Sequence, residues 1–233
     1  MIGRIAASRE RALWIKASRE YILEMPVLLA EVPAPWRPRR IRRVARLLRK
    51  QGVKRVLTPE EFPYRNLLEE GGLSMVETGE FCRCLAAPVC MAALHQAGIS
   101  PLSATVVLRG ERVTRAMRMS ALSLCPRVKN LLIAAPVGGA GLQAELRREY
   151  GVPVLEDGGF RQPDAALHFS PASGAGKVVV DLSGPFPALK NFIFRQERGE
   201  LPENCASLPL LAALWEAGRL NPEDITVFED VHS

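Results

Sequence analysis

Residues 104–135 read ATVVLRGERVTRAMRMSALSLCPRVKNLLIAA, and these 32 residues decide the fold. Ala104–Leu108 is a β-branched, apolar run that stops at Gly110, which is the composition of a buried strand. Val113, Ala116, Met117, Ala121 and Leu124 then recur at helical spacing, so Val113–Leu124 is predicted to be a helix with one apolar face. Lys129–Ala135 is a second run without polar alternation. A strand apolar on both faces, followed by a helix and another such strand, is a β-α-β unit of a covered parallel sheet.

The same alternation continues on both sides. Upstream, Ala87–Ala97 is an apolar helix ending at Gly98; downstream, Leu142–Tyr150 is a helix ending at Gly151. Val152–Leu155, Ala165–Phe169 and Lys177–Leu182 are further strand candidates. Nearer the start, Ala12–Ala17 and Tyr21–Ala30 are predicted strands, separated by the polar Ser18-Arg19-Glu20. Pro33, Pro35 and Pro38 mark a stiff connector into a helix whose Ile41, Val44, Ala45 and Leu48 fall at i, i+3, i+4 and i+7. Gly52 stops that helix, and a strand (Val53–Thr58), a helix (Pro63–Glu70) and a strand (Leu73–Glu77) follow. The tail holds a helix, Ala206–Ala217, and a strand-like Ile225–Phe228. The expected division is an N-terminal α/β unit over 1–85, a parallel-sheet domain over 86–195 and a helical tail over 196–233.

Composition agrees with a globular chain: 233 residues, 48% hydrophobic, 24% charged and 6% aromatic. Eighteen glycines and 18 prolines are near average usage, which excludes collagen-like and low-complexity classes. The opening residues carry no apolar run before Arg4, Arg9 and Glu10, so no secretory signal is read there. Leu85–Leu94 is about half of the roughly 20 residues that a membrane span needs, and Pro88 interrupts it. With five cysteines and no such signal, free thiols and a cytoplasmic location without a membrane anchor are expected.

The net charge of +6 is local. Ten basic residues and no acid lie between Arg37 and Arg55, leaving 21 basic against 25 acidic residues elsewhere. Arg39, Arg42, Arg43, Arg46 and Arg49 lie opposite the apolar face of the helix, where they form either a solvated surface or a contact for an acidic protein or nucleic acid.

Three stretches carry a resemblance. AAPVCMAALHQAGISPLSATVVLRGERVTRAMRMSAL resembles the entry into the nucleotide-binding domain of shikimate dehydrogenases and glutamyl-tRNA reductases. PRVKNLLIAAPVGGAGLQAELRREYGVPVLED is similar to their second strand, second helix and third strand, and PDAALHFSPASGAGKVVVDLSGP to their fourth and fifth strands. The resemblance spans Ala86–Pro185 and implies a Rossmann-like parallel sheet with helices on both faces, preceded by the smaller β-rich and α/β unit. It also implies a nucleotide or small-metabolite ligand, NAD(P) in those families, and a place among divergent dehydrogenase relatives; the alternative is a non-catalytic regulatory or scaffolding protein.

Ligands of such sheets bind beyond the carboxyl ends of the strands, which singles out Gly110, Arg112 and Thr114 in the first turn and Gly139 and Gly141 in the second. The first turn, Gly110-Glu111-Arg112-Val113-Thr114-Arg115, keeps one glycine of G-x-G-x-x-G and puts Glu111 where phosphate would lie. The second strand ends in Ala134-Ala135-Pro136, without the acid that binds ribose hydroxyls. Gly139-Ala140-Gly141-Leu142-Gln143-Ala144 fits G-x-G-x-x-A, with Glu156 and Asp157 downstream, although a plain glycine-rich β-α connection is the favoured reading. Ser173-Gly174-Ala175-Gly176-Lys177 precedes a strand and is not a phosphate loop. His168, Asp181 and Ser183 fall at strand ends, where His168 and Asp181 are the candidates for acid–base work. His95 and His232 are placed less favourably, on the apolar helix and at the terminus. Cys82, Cys84 and Cys90 are spaced C-x-C-x5-C, which matches no C-x2-C pair, so no metal site is assigned.

Overall fold

A computed structural model describes residues 1–8, 14–151, 162–171, 174–202 and 205–230. The expected strand Val152–Leu155, Glu156, Asp157, Ser173 and His232 lie outside the described residues. The chain folds as two compact units, 1–77 with 196–224, and 78–195 with 225–233. The division thus falls at 77/78, and the tail is shared, 196–224 belonging to the first unit and 225–233 to the second.

The first unit is built on a five-stranded sheet. β1 (Ile2–Ala7), β2 (Lys16–Ile22), β3 (Met25–Val32), β4 (Arg55–Leu57) and β5 (Ser74–Met75) lie in the order β2-β3-β1-β4-β5. β2 runs antiparallel to β3, and every other pairing is parallel. Ser18-Arg19-Glu20 is therefore part of a strand and not a break. β2 is an edge strand with most of its residues exposed, where polar side chains are tolerated. The reversal falls instead at Leu23 and Glu24, both in the left-handed region with φ 44° and 63°.

β1 lies in the middle of this sheet although it carries Arg4, which is buried. Glu20 of β2 answers the charge with two bonds, Arg4 Nε to Oε1 at 2.5 Å and Nη2 to Oε2 at 2.8 Å. On the opposite face lies α1 (Pro38–Lys50), buried through Ile41, Val44, Ala45 and Leu48 as its spacing requires. These pack with Ile5, Leu28, Ala30 and Val56 of the sheet, with Val53 just before β4, and with Leu67 and Leu68 of α2 (Arg65–Glu70).

The second unit begins with α3 (Gly79–Cys84), a helix the sequence reading does not anticipate, and α4 (Ala86–Gln96). Its sheet consists of β6 (Thr105–Arg109), β7 (Asn130–Ala134), β8 (Ala165–His168) and β9 (Val178–Asp181), all parallel, in the order β7-β6-β8-β9. α5 (Arg115–Leu124) joins β6 to β7, and α6 (Gly139–Tyr150) follows β7. The fold is α/β with a Rossmann-like parallel sheet. β10 (Phe192–Gln196), unforeseen in the sequence, pairs with the last strand; α7 (Ser207–Glu216) lies between them in the chain, and β11 (Ile225–Glu229) packs on α4. Among the described residues no helix is long and apolar enough to cross a membrane.

Candidate functional site

The chain leaves β6 for β7 on one side and later returns to β8 on the other, so the carboxyl ends of β6 and β8 form the topological switch point. Register then sets what meets there. Arg109 is the partner of His168, and His168 of Asp181. Partners in adjacent parallel strands project from the same face, so the three side chains form a row across about 10 Å of sheet edge.

The row's neighbours on that face are Val107, Leu132 and Ala166, a small apolar cluster. The connection from β8 to β9 crosses this face closely. A Cβ on Gly174 would lie 1.5 Å from Arg109 Nη1, and one on Gly176 would lie 3.1 Å from Ala166 Cβ. The glycines of Ser173–Lys177 thus serve close passage over a sheet, and the following residues are β9, not a helix.

His168 is only 5% exposed, and its Nε2 is buried without a hydrogen-bond partner among the described residues. Burial is the main cause that holds its pKa below the ordinary imidazole value; the Arg109 charge adds to this and Asp181 opposes it. The imidazole is thus neutral at pH 7, able to give or accept one hydrogen bond. Asp181 is exposed and accepts a bond from Ser183 N at 2.9 Å. A neutral imidazole between a guanidinium and a carboxylate can bind an anionic group and exchange a proton with it.

The two glycine-bearing turns differ in what they leave open. In the first, Gly110 is buried and a Cβ there would lie 2.8 Å from Met117 Cε, so its bareness serves packing against α5. Glu111 N donates to Ser170 Oγ (3.0 Å), Val113 N to Val137 O (2.9 Å) and Met117 N to Thr114 Oγ1 (3.2 Å). Arg112 and Arg115 are exposed, Arg112 bridging to Val137 beside the second turn. In that turn Gly139 N donates to Ala135 O at 3.2 Å. Gly138 (φ 84°) precedes α6 without a side-chain cap, no acid occupies the helix's first turn, and nothing lies within 4 Å of a Cβ built on Gly141. Gly139 makes ordinary contacts with Ala135 and Ile133.

Arg109 is the residue of this row that motif reasoning missed. Its signal was present: Thr105–Arg109, Ala165–His168 and Val178–Asp181 are apolar runs that each close on a titratable or charged residue. The other candidates fall elsewhere. His95 is exposed on α4, its Nδ1 3.2 Å from Glu229 Oε1 of β11. Cys82 and Cys90 are buried, and desolvation pushes their thiols up to about 11 and about 12, away from the thiolate that a metal needs. Among the described residues no group of three or more His, Cys, Asp or Glu is placed to hold a metal ion.

No protein-family model and no curated protein matches the chain. Among solved structures it is similar to L-tryptophan dehydrogenase from Nostoc punctiforme, at 10% identity and a TM-score of 0.30. The match covers 61% of this chain and 44% of that one.

Proposed function

We propose that this chain binds a nucleotide, or another small metabolite bearing phosphate or carboxylate, at the carboxyl edge of the β6–β9 sheet. The observation that carries the reading is the buried, unpartnered Nε2 of His168 at the switch point. Buried polar atoms without partners are rare in folded proteins, and one on a residue that closes a central strand of a parallel sheet is suited to a ligand's hydrogen bond. Arg109 supplies the positive charge beside it, and the exposed Arg112 and Arg115 add charge in the β6–α5 turn and at the start of α5. Phosphate fits the start of α6 better than the start of α5: α6 has no side-chain cap and no acid in its first turn, and of its opening amides Gly139 N is spent on Ala135 O, whereas the β6–α5 turn has spent several amides internally.

NADPH and NADH are the first ligands to try, since the order of elements resembles shikimate dehydrogenases and glutamyl-tRNA reductases; ATP and S-adenosylmethionine extend the panel. A ligand at 100 times its Kd adds about 2.7 kcal/mol. For a chain of this length that raises the melting midpoint by roughly 5–11 °C. The expected result is such a shift with one of the four in the native protein and its loss in His168→Leu. Unchanged midpoints with all four, or an equal shift in the variant, overturn the reading. Should a nicotinamide nucleotide be the ligand, turnover of hydroxy acids and keto acids is the next assay, with His168 as the proton carrier.

A further inference from the structure

We infer that the exposed face of α1 is a docking surface for the phosphate backbone of double-stranded nucleic acid, separate from the ligand site on the second unit. Ile41, Val44, Ala45 and Leu48 hold the helix against its sheet, which leaves Arg39, Arg42, Arg43, Arg46, Arg49 and Lys50 exposed. At 100° per residue these six cations fall within about 120° of arc, and at 1.5 Å per residue they extend over about 16 Å. They form one straight stripe with no acid in it.

Among the described residues the stripe is barely neutralised: a single ion pair touches it, Arg42 with Glu70 at 3.8 Å, and both partners are exposed. Nor does most of it serve the helix: only Arg49 and Lys50, in the last turn, meet the helix dipole favourably. Residues 39 and 42, 39 and 43, 42 and 46, 43 and 46, 46 and 49, and 46 and 50 are like-charged neighbours one turn apart, which repel. The first turn holds no acid to meet the helix dipole and carries arginine instead. A helix that assembles cations against its own stability is matched by an external polyanion.

Three features select a duplex. Five of the six cations are arginine, whose planar fork grips phosphate in a bidentate manner, whereas lysine serves equally well for diffuse attraction. A duplex presents one charge per about 1.7 Å along its axis with both strands counted, so 16 Å of duplex carries about nine, enough to pair each of the six cations. Single strands need stacking platforms, and the nearest aromatic, Trp36, is turned into the core against Phe62, with centroids 5.0 Å apart. A helix that inserts into a membrane surface would call for exposed apolar residues among the cations, and the stripe presents none; purely electrostatic attraction to anionic lipid is the vesicle arm of the test.

The test is fluorescence anisotropy of a labelled 20-base-pair duplex DNA with the full-length protein over a salt series. Engagement of five or six phosphates gives a slope of log K against log[salt] of about −4.5 to −5.4. R42E/R43E/R46E/R49E, folded by circular dichroism, is expected to lose at least 100-fold in affinity. If that variant does not fold, R43Q/R46Q is used, which shortens the slope by about 1.8. No binding at 50 mM salt overturns the inference. Equal affinity in the variants overturns it, as does tighter binding to phosphatidylserine vesicles or polyglutamate than to the duplex.

Discussion

Replacing His168 with leucine should make the unliganded protein more stable while removing its ligand. The imidazole is 5% exposed and its Nε2 finds no partner among the described residues. A buried polar group left unsatisfied costs about 1–3 kcal/mol. Leucine is of similar size and carries no polar atom, and it joins the Val107, Leu132 and Ala166 cluster on the same face. A gain of about 2 kcal/mol raises the midpoint of a chain this long by roughly 4–8 °C. The gain depends on pH. Burial and Arg109 lower the pKa of His168 in the folded state, so below the ordinary imidazole value of 6.5 the unfolded chain binds a proton that the folded chain resists. The native protein therefore loses stability as pH falls from 7 through 6.5 and below, and the leucine variant lacks that contribution. Calorimetry of both proteins at pH 7.5 and pH 5.5 should show the variant ahead at both, with the wider gap at pH 5.5. A variant less stable at pH 7.5, or a gap that narrows in acid, would refute the reasoning that His168 is a buried, neutral imidazole with an unsatisfied Nε2.

Other perturbations probe the frame around the site. Leu48→Ala empties a fully buried position beneath α1 and should cost about 2–5 kcal/mol in a urea melt. Gly79→Ala places a Cβ 2.2 Å from the Gly184 carbonyl oxygen and should cost about 1–3 kcal/mol, whereas Gly141→Ala enters open space in α6 and should add about 0.5–1 kcal/mol. An equal effect of the two glycine changes would count against the described packing of α3 on the Gly184–Pro185 turn. Desolvation holds the Cys90 and Cys205 thiols at about 12, so alkylation by iodoacetamide at pH 8 should leave both unmodified until denaturant is added, as read by mass spectrometry.

Much of the fold was legible because its signals are local. Ile41, Val44, Ala45 and Leu48 specify α1 by spacing alone, and the buried residues of that helix are those four. The β-α-β rhythm of Ala104–Ala135 specifies β6, α5 and β7 in the same way. β1 was not legible. An arginine in a six-residue strand reads as surface until Glu20, 16 residues away, is known to pair with it. The hairpin was misplaced because Leu23 and Glu24 turn the chain with non-glycine residues at positive φ, which turn chemistry gives no reason to expect.

The site divides along the same line. His168 and Asp181 could be singled out because strand ends are where ligands gather. Their meeting with Arg109 is a matter of register between strands about 60 and 70 residues apart in the chain, which periodicity within one strand does not encode. The role of Gly174 was hidden for a related reason: its close approach is to an arginine 65 residues earlier.

The chain has three histidines, His95, His168 and His232, so histidine labelled with 15N gives three sets of imidazole signals. The set missing from the His168→Leu spectrum belongs to His168. Titration with whichever panel member raises the melting midpoint should move that set, as Nε2 gains its hydrogen bond, and leave the other two in place. A bound ligand that leaves the His168 signals unmoved, or that moves only those of His95 or His232, would contradict a binding site at the β6–β8 switch point.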